Sequence, residues 1–270
     1  MNCQAIVGKG SVRWVVFVLA LALASTKPSL RAADQSVVFV PASTFTMGTK
    51  ASAADTEQKP AHEVFVDAFE IDRTEVTVGD YKKCIEAGVC GKVVSRYPEL
   101  TSDAEYFATF KDDEPITEVN WFNANRYCQW AGKRLPTEAE WEKAARGPKE
   151  YLNPWGNRKF KKGDAAIGVP HVYPVGAFAN DKSGYGVVDM AGNVTEWVTD
   201  WYSADYYRSS PQRNPMGPKE GTKKVVRGAS WQTNIKGDLQ SSFFVTSRFG
   251  VPPDRLTDII GFRCAKLAEK

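Results

Sequence analysis

Between Cys128 and Cys264 the chain has no cysteine, and its 270 residues include only five cysteines and two histidines. His62 and His171 stand alone and no CxxC pair is present, so a cysteine-histidine zinc centre is excluded as the organising feature. Long hydrophobic runs are missing too. The apolar stretch from Trp14 to Ala24 is about half of the ~20 residues that a membrane-spanning helix needs. Neither sign of charge is in excess, with 35 Lys and Arg against 32 Asp and Glu. The basic runs Arg158 to Lys162 and Lys219 to Lys224 are short and separate, and read as solvated loops rather than a nucleic-acid surface. Paired catalytic carboxylates, a nucleophile triad and a phosphate loop are absent as recognisable patterns.

What is present begins with a targeting signature. Lys9 and Arg13 precede the apolar stretch and Ala22-Leu23-Ala24 ends it, which predicts a secretory signal over residues 1–24, cleaved after Ala24. A membrane anchor is the competing reading and falls short on length; no cysteine follows to carry a lipid. The expected location is periplasmic or secreted, with no membrane span after cleavage and no nucleic-acid partner. Residues 25–36 read as a linker and residues 37–270 as one domain. Export removes Cys3 and leaves Cys84, Cys90, Cys128 and Cys264, which allow three pairings. Cys84 with Cys90 closes a short loop at a helix end, and Cys128 with Cys264 ties the middle of the chain to its C-terminus, so these two disulfides are expected.

Local signals predict three helices. Thr77 caps one that runs to about Ala87, before Gly88; a second covers about Trp121 to Ala131, before Gly132; a third covers Glu138 to Arg146, before Gly147. Thr137 and Glu140 have the capping-box spacing for the third. Residues 91–114 read as a long loop. Strands are expected within Val37 to Met47 and Val64 to Ile71, and at about Gly186 to Asp189, Val225 to Arg227, Phe243 to Phe249 and Phe262 to Lys266.

Two dense motifs, YCQWAGKRLPTEAEW over Tyr127 to Trp141 and DMAGNVTEW over Asp189 to Trp197, are followed by RGASW and GFRCA. With Thr46-Met47-Gly48, Glu75-Val76-Thr77, Val119-Asn120-Trp121, Pro154-Trp155-Gly156 and Gly184-Tyr185-Gly186 in the same order, they make the chain resemble the sulfatase-modifying-factor family, best known for formylglycine-generating enzymes. The resemblance covers about residues 37 to 266. It implies a single α+β domain with a C-type-lectin-like arrangement and little regular secondary structure, supported by calcium. Carried over, the calcium ligands are the side chains of Asp189 and Glu196 and the carbonyls of Gly192 and Val194, an all-oxygen set suited to a hard cation. The alternative for that segment is a hydrogen-bonded turn before a strand. A second calcium site near Asp164 is not supported. Asn193-Val194-Thr195 fits a glycosylation sequon but is expected to be buried.

The resemblance fails at its chemistry. Family oxidases carry a cysteine three residues after the serine of the Gly-x-Ser-aromatic motif, and another soon after; here Ser230 and Trp231 are followed by Thr233, and Asn234 to Gln240 contains no cysteine. A threonine hydroxyl cannot serve as a soft copper ligand or exchange with a disulfide, so copper and formylglycine generation are not expected. Two readings follow: an oxidoreductase-type enzyme with a remodelled, non-thiol site, or a non-catalytic lectin-like module holding an unidentified small molecule, peptide or protein. Both place the ligand at Ser230, Trp231, Thr233, Asn234, Arg248 and Asp238, with Arg227 and Arg263 structural. For Arg248 an internal salt bridge competes with contact to a substrate anion, and for Trp231 a core position competes with a pocket wall.

Overall fold

Short, well-capped helices form where the local chemistry demands them. A computed structural model describes residues 36–50, 56–93, 102–234 and 245–268 of the chain. Helix α1 (Val78–Glu86) starts at Thr77, whose hydroxyl accepts from Asp80 N at 3.1 Å. Helix α2 is Asp103–Thr109, α3 is Trp121–Trp130 and α4 is Glu138–Arg146. At the start of α4 the expected box is in place: Glu140 N donates to Thr137 Oγ1 at 3.2 Å and Thr137 N to Glu140 Oε2 at 2.8 Å. Gly147, at φ +69, ends it in a conformation that a side chain would strain. Helix α2 lies inside the segment read as a loop. Ser102 and Glu105 cap it reciprocally, but it is seven residues long and buries only Tyr106, too little for a visible period.

Three sheets surround α4. One contains β1 (Val37–Val40), β4 (Phe69–Asp72) and β9 (Ala265–Leu267) in the order β1-β4-β9; β2 (Ser43–Met47) pairs with β3 (His62–Val66). The third runs β7-β6-β5-β8, from β5 (Thr195–Trp201), β6 (Lys224–Arg227), β7 (Arg248–Val251) and β8 (Ile260–Phe262). Its central strand β5 pairs antiparallel with β6 and parallel with β8, Trp197 lying opposite both Val226 and Phe262. The expected strand at Gly186 to Asp189 is reduced to one isolated antiparallel bridge, Val188 to Lys182, with bends at Gly186 and Asp189, and β5 forms six residues later. The strand expected from Phe243 is β7, beginning at Arg248; residues 235–244 lie outside the described set.

Helix α4 is buried at every one of its nine positions, four of them charged besides Glu140. Such a helix is tolerable only if each charge has a partner. Glu138 accepts from Arg248 Nε (2.6 Å) and Nη2 (2.9 Å), and Glu142 accepts from Arg227 Nη2 (2.7 Å). Arg146 reaches the carbonyls of Thr46 and Gly48, each at 2.8 Å. The Lys143 ammonium donates to the carbonyls of Pro41, Ser43 and Val66, and burial lowers its pKa to about 8. These polar contacts stitch α4 to the two-stranded and four-stranded sheets, while Trp141, Ala144, Val198 and Val225 fill the apolar space around them.

A second core collects Tyr81, Tyr127, Trp197 and Phe262 around α1 and α3. Both expected disulfides border it. Cys84–Cys90 closes the end of α1, and Cys128–Cys264 joins α3 to the turn between β8 and β9 across 136 residues of sequence. The Lys224 ammonium sits 4.1 Å from the Trp121 ring centre and 3.8 Å from that of Trp201, a cation between two indole faces.

Candidate functional site

The strand β6 ends at Arg227, and Gly228, at φ +82, turns the chain away from the sheet into a short loop beneath which a cavity of about 290 Å³ opens. Among the described residues it is lined by Val226, Gly228, Ala229, Phe249, Val251, Ile259 and Ile260, with Thr195, Ser230 and Thr233 as the lining residues that carry a hydroxyl. Phe249 and Val251 come from alternate positions of β7, which is why one face of that edge strand supplies both. The loop has its own local lock. Ser230 N donates to Thr233 Oγ1 at 3.0 Å and Thr233 N to Ser230 O at 3.0 Å, and the two hydroxyls lie 3.4 Å apart.

Of the residues singled out from sequence, Ser230 and Thr233 line this cavity. Trp231 is a clamp beside it: its N–H donates to Asn193 O at 2.9 Å, its carbonyl accepts from Val169 N at 3.1 Å, and its indole Nε1 donates to Asp258 O at 3.0 Å. Asn234 is exposed and Asp238 lies outside the described residues. Arg248 is a correction. Its side chain is fully buried, doubly bonded to Glu138 and bonded to Ser203 O at 2.8 Å, with the rings of Tyr202 and Tyr207 on either side, so no donor of that group faces the cavity. Arg227 and Arg263 have the structural roles expected of them. The wall residues of β7 and β8 were missed because their strands are only three or four residues long; the alternation of Phe249 and Val251 was the one available signal.

The segment from Asp189 to Glu196 is equally specific, and forms a hydrogen-bonded turn that leads into β5, the alternative given for it from sequence. Both oxygens of Glu196 are taken: Arg263 Nε and Nη2 approach to 2.8 and 2.7 Å, and Trp141 Nε1 donates at 2.9 Å. Arg263 spends its remaining donors on the carbonyls of Asp72, Arg73 and Val188. Asp189, at φ +58, accepts from Gly176 N. Asp181 receives the N–H groups of Ala191 and Gly192, the latter at 3.0 Å. Burial, reinforced by the negative charge of Asp189, pushes the carboxyls of Glu75 and Asp181 well above the usual carboxylate range, and burial raises Asp189 as well. Among the described residues no three acidic, histidine or cysteine side chains converge as a metal-binding group. Of the calcium set that the resemblance implies, Glu196 is engaged by a guanidinium and an indole and Asp189 by the Gly176 amide. Asn193 is buried and exchanges two hydrogen bonds with the Tyr173 backbone, in keeping with a sequon that is not used.

Comparison with known proteins places this geometry. A family model described as sulfatase-modifying factor enzyme 1-like domain matches residues 22–268. The chain is 34% identical to mouse inactive C-alpha-formylglycine-generating enzyme 2, over 88% of this chain and 87% of the relative. To bovine formylglycine-generating enzyme it is 29% identical, over 85% of this chain and 74% of that one. Among solved structures it is similar to PvdO from Pseudomonas aeruginosa, with a TM-score of 0.71 and 24% identity over 86% of this chain and 94% of that one, a likeness of fold. On the family match and the mouse relative together, the chain belongs to the sulfatase-modifying factor enzyme 1-like domain family.

Proposed function

We propose that the protein is an exported, non-catalytic binding module that keeps the family fold and has given up its thiol chemistry. The observation that carries this reading is what lines the cavity at Ser230: apolar residues and three that carry a hydroxyl. From Ser230 to Phe262 the chain has no cysteine, histidine or methionine, so that region offers no soft ligand for copper and no thiol for exchange with a substrate. The hydroxyls of Ser230 and Thr233 bond to each other's loop and have no imidazole or amine among the described lining residues to activate them. The description of the mouse relative as inactive supports the same conclusion. Export is supported by the charged, apolar and small-residue order of residues 1–24 and by two disulfides, bonds that persist in oxidising compartments. Calcium is not part of this reading, because Glu196 is already paired with Arg263.

The oxidoreductase reading is put at risk by one experiment. Purified protein is incubated aerobically with a cysteine-containing peptide, with and without added copper, and the peptide is weighed by mass spectrometry. No loss of the thiol to an aldehyde is expected under either condition; conversion of the peptide overturns the proposal.

A further inference from the structure

Resting on the reading of the Ser230–Thr233 cavity as a ligand face, we propose that it selects a neutral, largely apolar group carrying one hydroxyl or carbonyl, of the size of a substituted phenol, and rejects charged analogues of the same shape. Size comes first. At about 290 Å³ the space is roughly twice the ~150 Å³ apolar cavity that accommodates one benzene. One ring with substituents fits it.

Charge decides the class. Among the described residues, the ionic side chains next to lining positions are already engaged; Lys236 and Asp238 lie outside the described residues. Arg227, next to the lining residue Gly228, gives its terminal donors to Glu138, Glu142 and the carbonyls of Val245 and Thr246. Glu196, next to the lining residue Thr195, is held by Arg263. Asp258, next to Ile259, accepts from Thr257 and Gln232. A bound carboxylate would therefore meet hydrocarbon walls and no available cation among the described residues, and a bound ammonium would meet no available carboxylate. Burying a charge without a partner is far more costly than burying a neutral polar group that finds one hydrogen bond.

The hydroxyls supply that one bond. Thr233 Oγ1 already accepts from Ser230 N, so its own proton is left to donate, and Ser230 Oγ can rotate to donate or accept. A phenol or a ketone matches such a point; a hydrocarbon leaves it unmet.

The test uses the purified full-length mature protein and four probes of one shape: 4-methylphenol, toluene, 4-methylbenzoate and 4-methylbenzylammonium, followed by protein-observed NMR up to millimolar concentration. Saturable shifts at the Ser230–Thr233 loop are expected for 4-methylphenol, with binding at least ~10-fold tighter than for either ion. Thr233→Val should weaken 4-methylphenol about 5- to 10-fold and leave toluene unchanged, which separates the hydrogen bond from shape. Val251→Trp should fill the space and abolish binding of all four, with retention of the melting temperature as the control for folding. If an ion binds as tightly as the phenol, or if Thr233→Val affects phenol and toluene alike, the ligand class is wrong while the site stands. If none of the four binds, the ligand-face reading falls with it.

Discussion

A carboxyl buried without a cation of its own behaves differently from one that has one, and α4 places the two side by side. Asp200 is fully buried and accepts from Glu138 N at 2.9 Å; burial first, then the negative charge of Glu138, raises its pKa well above that of a free aspartate. Glu138 is equally buried, yet Arg248 and Arg227 outweigh the desolvation and lower its pKa. The two act on stability in opposite directions. With its folded pKa raised, Asp200 holds a proton that the unfolded chain has released, so its contribution favours folding near and below the unfolded value and is lost as pH rises through the folded one. Glu138, with its folded pKa lowered, contributes stability above the unfolded value that is lost as pH falls. Asp200→Asn keeps an acceptor for Glu138 N and removes the titration. We expect it to flatten the decline of melting temperature as pH rises above about 4, the ordinary aspartate value, relative to the parent, measured by calorimetry across buffers. An unchanged slope would assign that decline to other groups.

At the scale of elements, the segment from Asp189 to Glu196 illustrates what a motif can hide. The family resemblance implies a calcium loop there, and the Glu196 side chain it would use is engaged by Arg263, 67 residues away. Nothing local marks that pair. Chelation with excess EDTA is accordingly expected to leave the melting temperature within about 1 °C, and added calcium to do the same; stabilisation by several degrees would mean that the cation displaces Arg263. Helices fared better because their signals are local. Thr137 with Glu140, Thr77 with Asp80, and glycines at positions 88, 132 and 147 bound α4, α1 and α3 to within a residue or two. Strand β5 escaped notice because TEWVTDW is buried on both faces and shows no alternation for a period-two reading to detect. To the cavity wall that strand contributes Thr195. Ser230 and Thr233 were legible from a motif and its missing thiol, whereas Phe249, Val251, Ile259 and Ile260 were not, since strands of three or four residues leave almost no pattern.

Across the whole molecule, the 136-residue closure by Cys128 and Cys264 is the constraint of longest range. In the chain-entropy account a loop of that length restricts the unfolded ensemble by roughly 5 kcal/mol. Replacing both cysteines with alanine should therefore lower the stability by about 2–5 kcal/mol in denaturant titrations, well beyond the effect of the same change at Cys84 and Cys90, whose loop is short. Equal losses for the two pairs would show that packing around the sulfurs, rather than chain closure, sets their worth.

Helix α4 has one more implication, for what its place in the interior depends on. Its lysine and arginine find carbonyls in residues 41–66, and Glu142 has Gly48 N and Arg146 beside it, but Glu138 has its cations only in Arg227 and Arg248, 89 and 110 positions downstream. Without them, Glu138 would be a buried carboxylate with no cation on a helix that lies in the interior. The buried seat of α4 therefore depends on β6 and β7, which carry the two guanidinium groups that make an interior Glu138 tolerable.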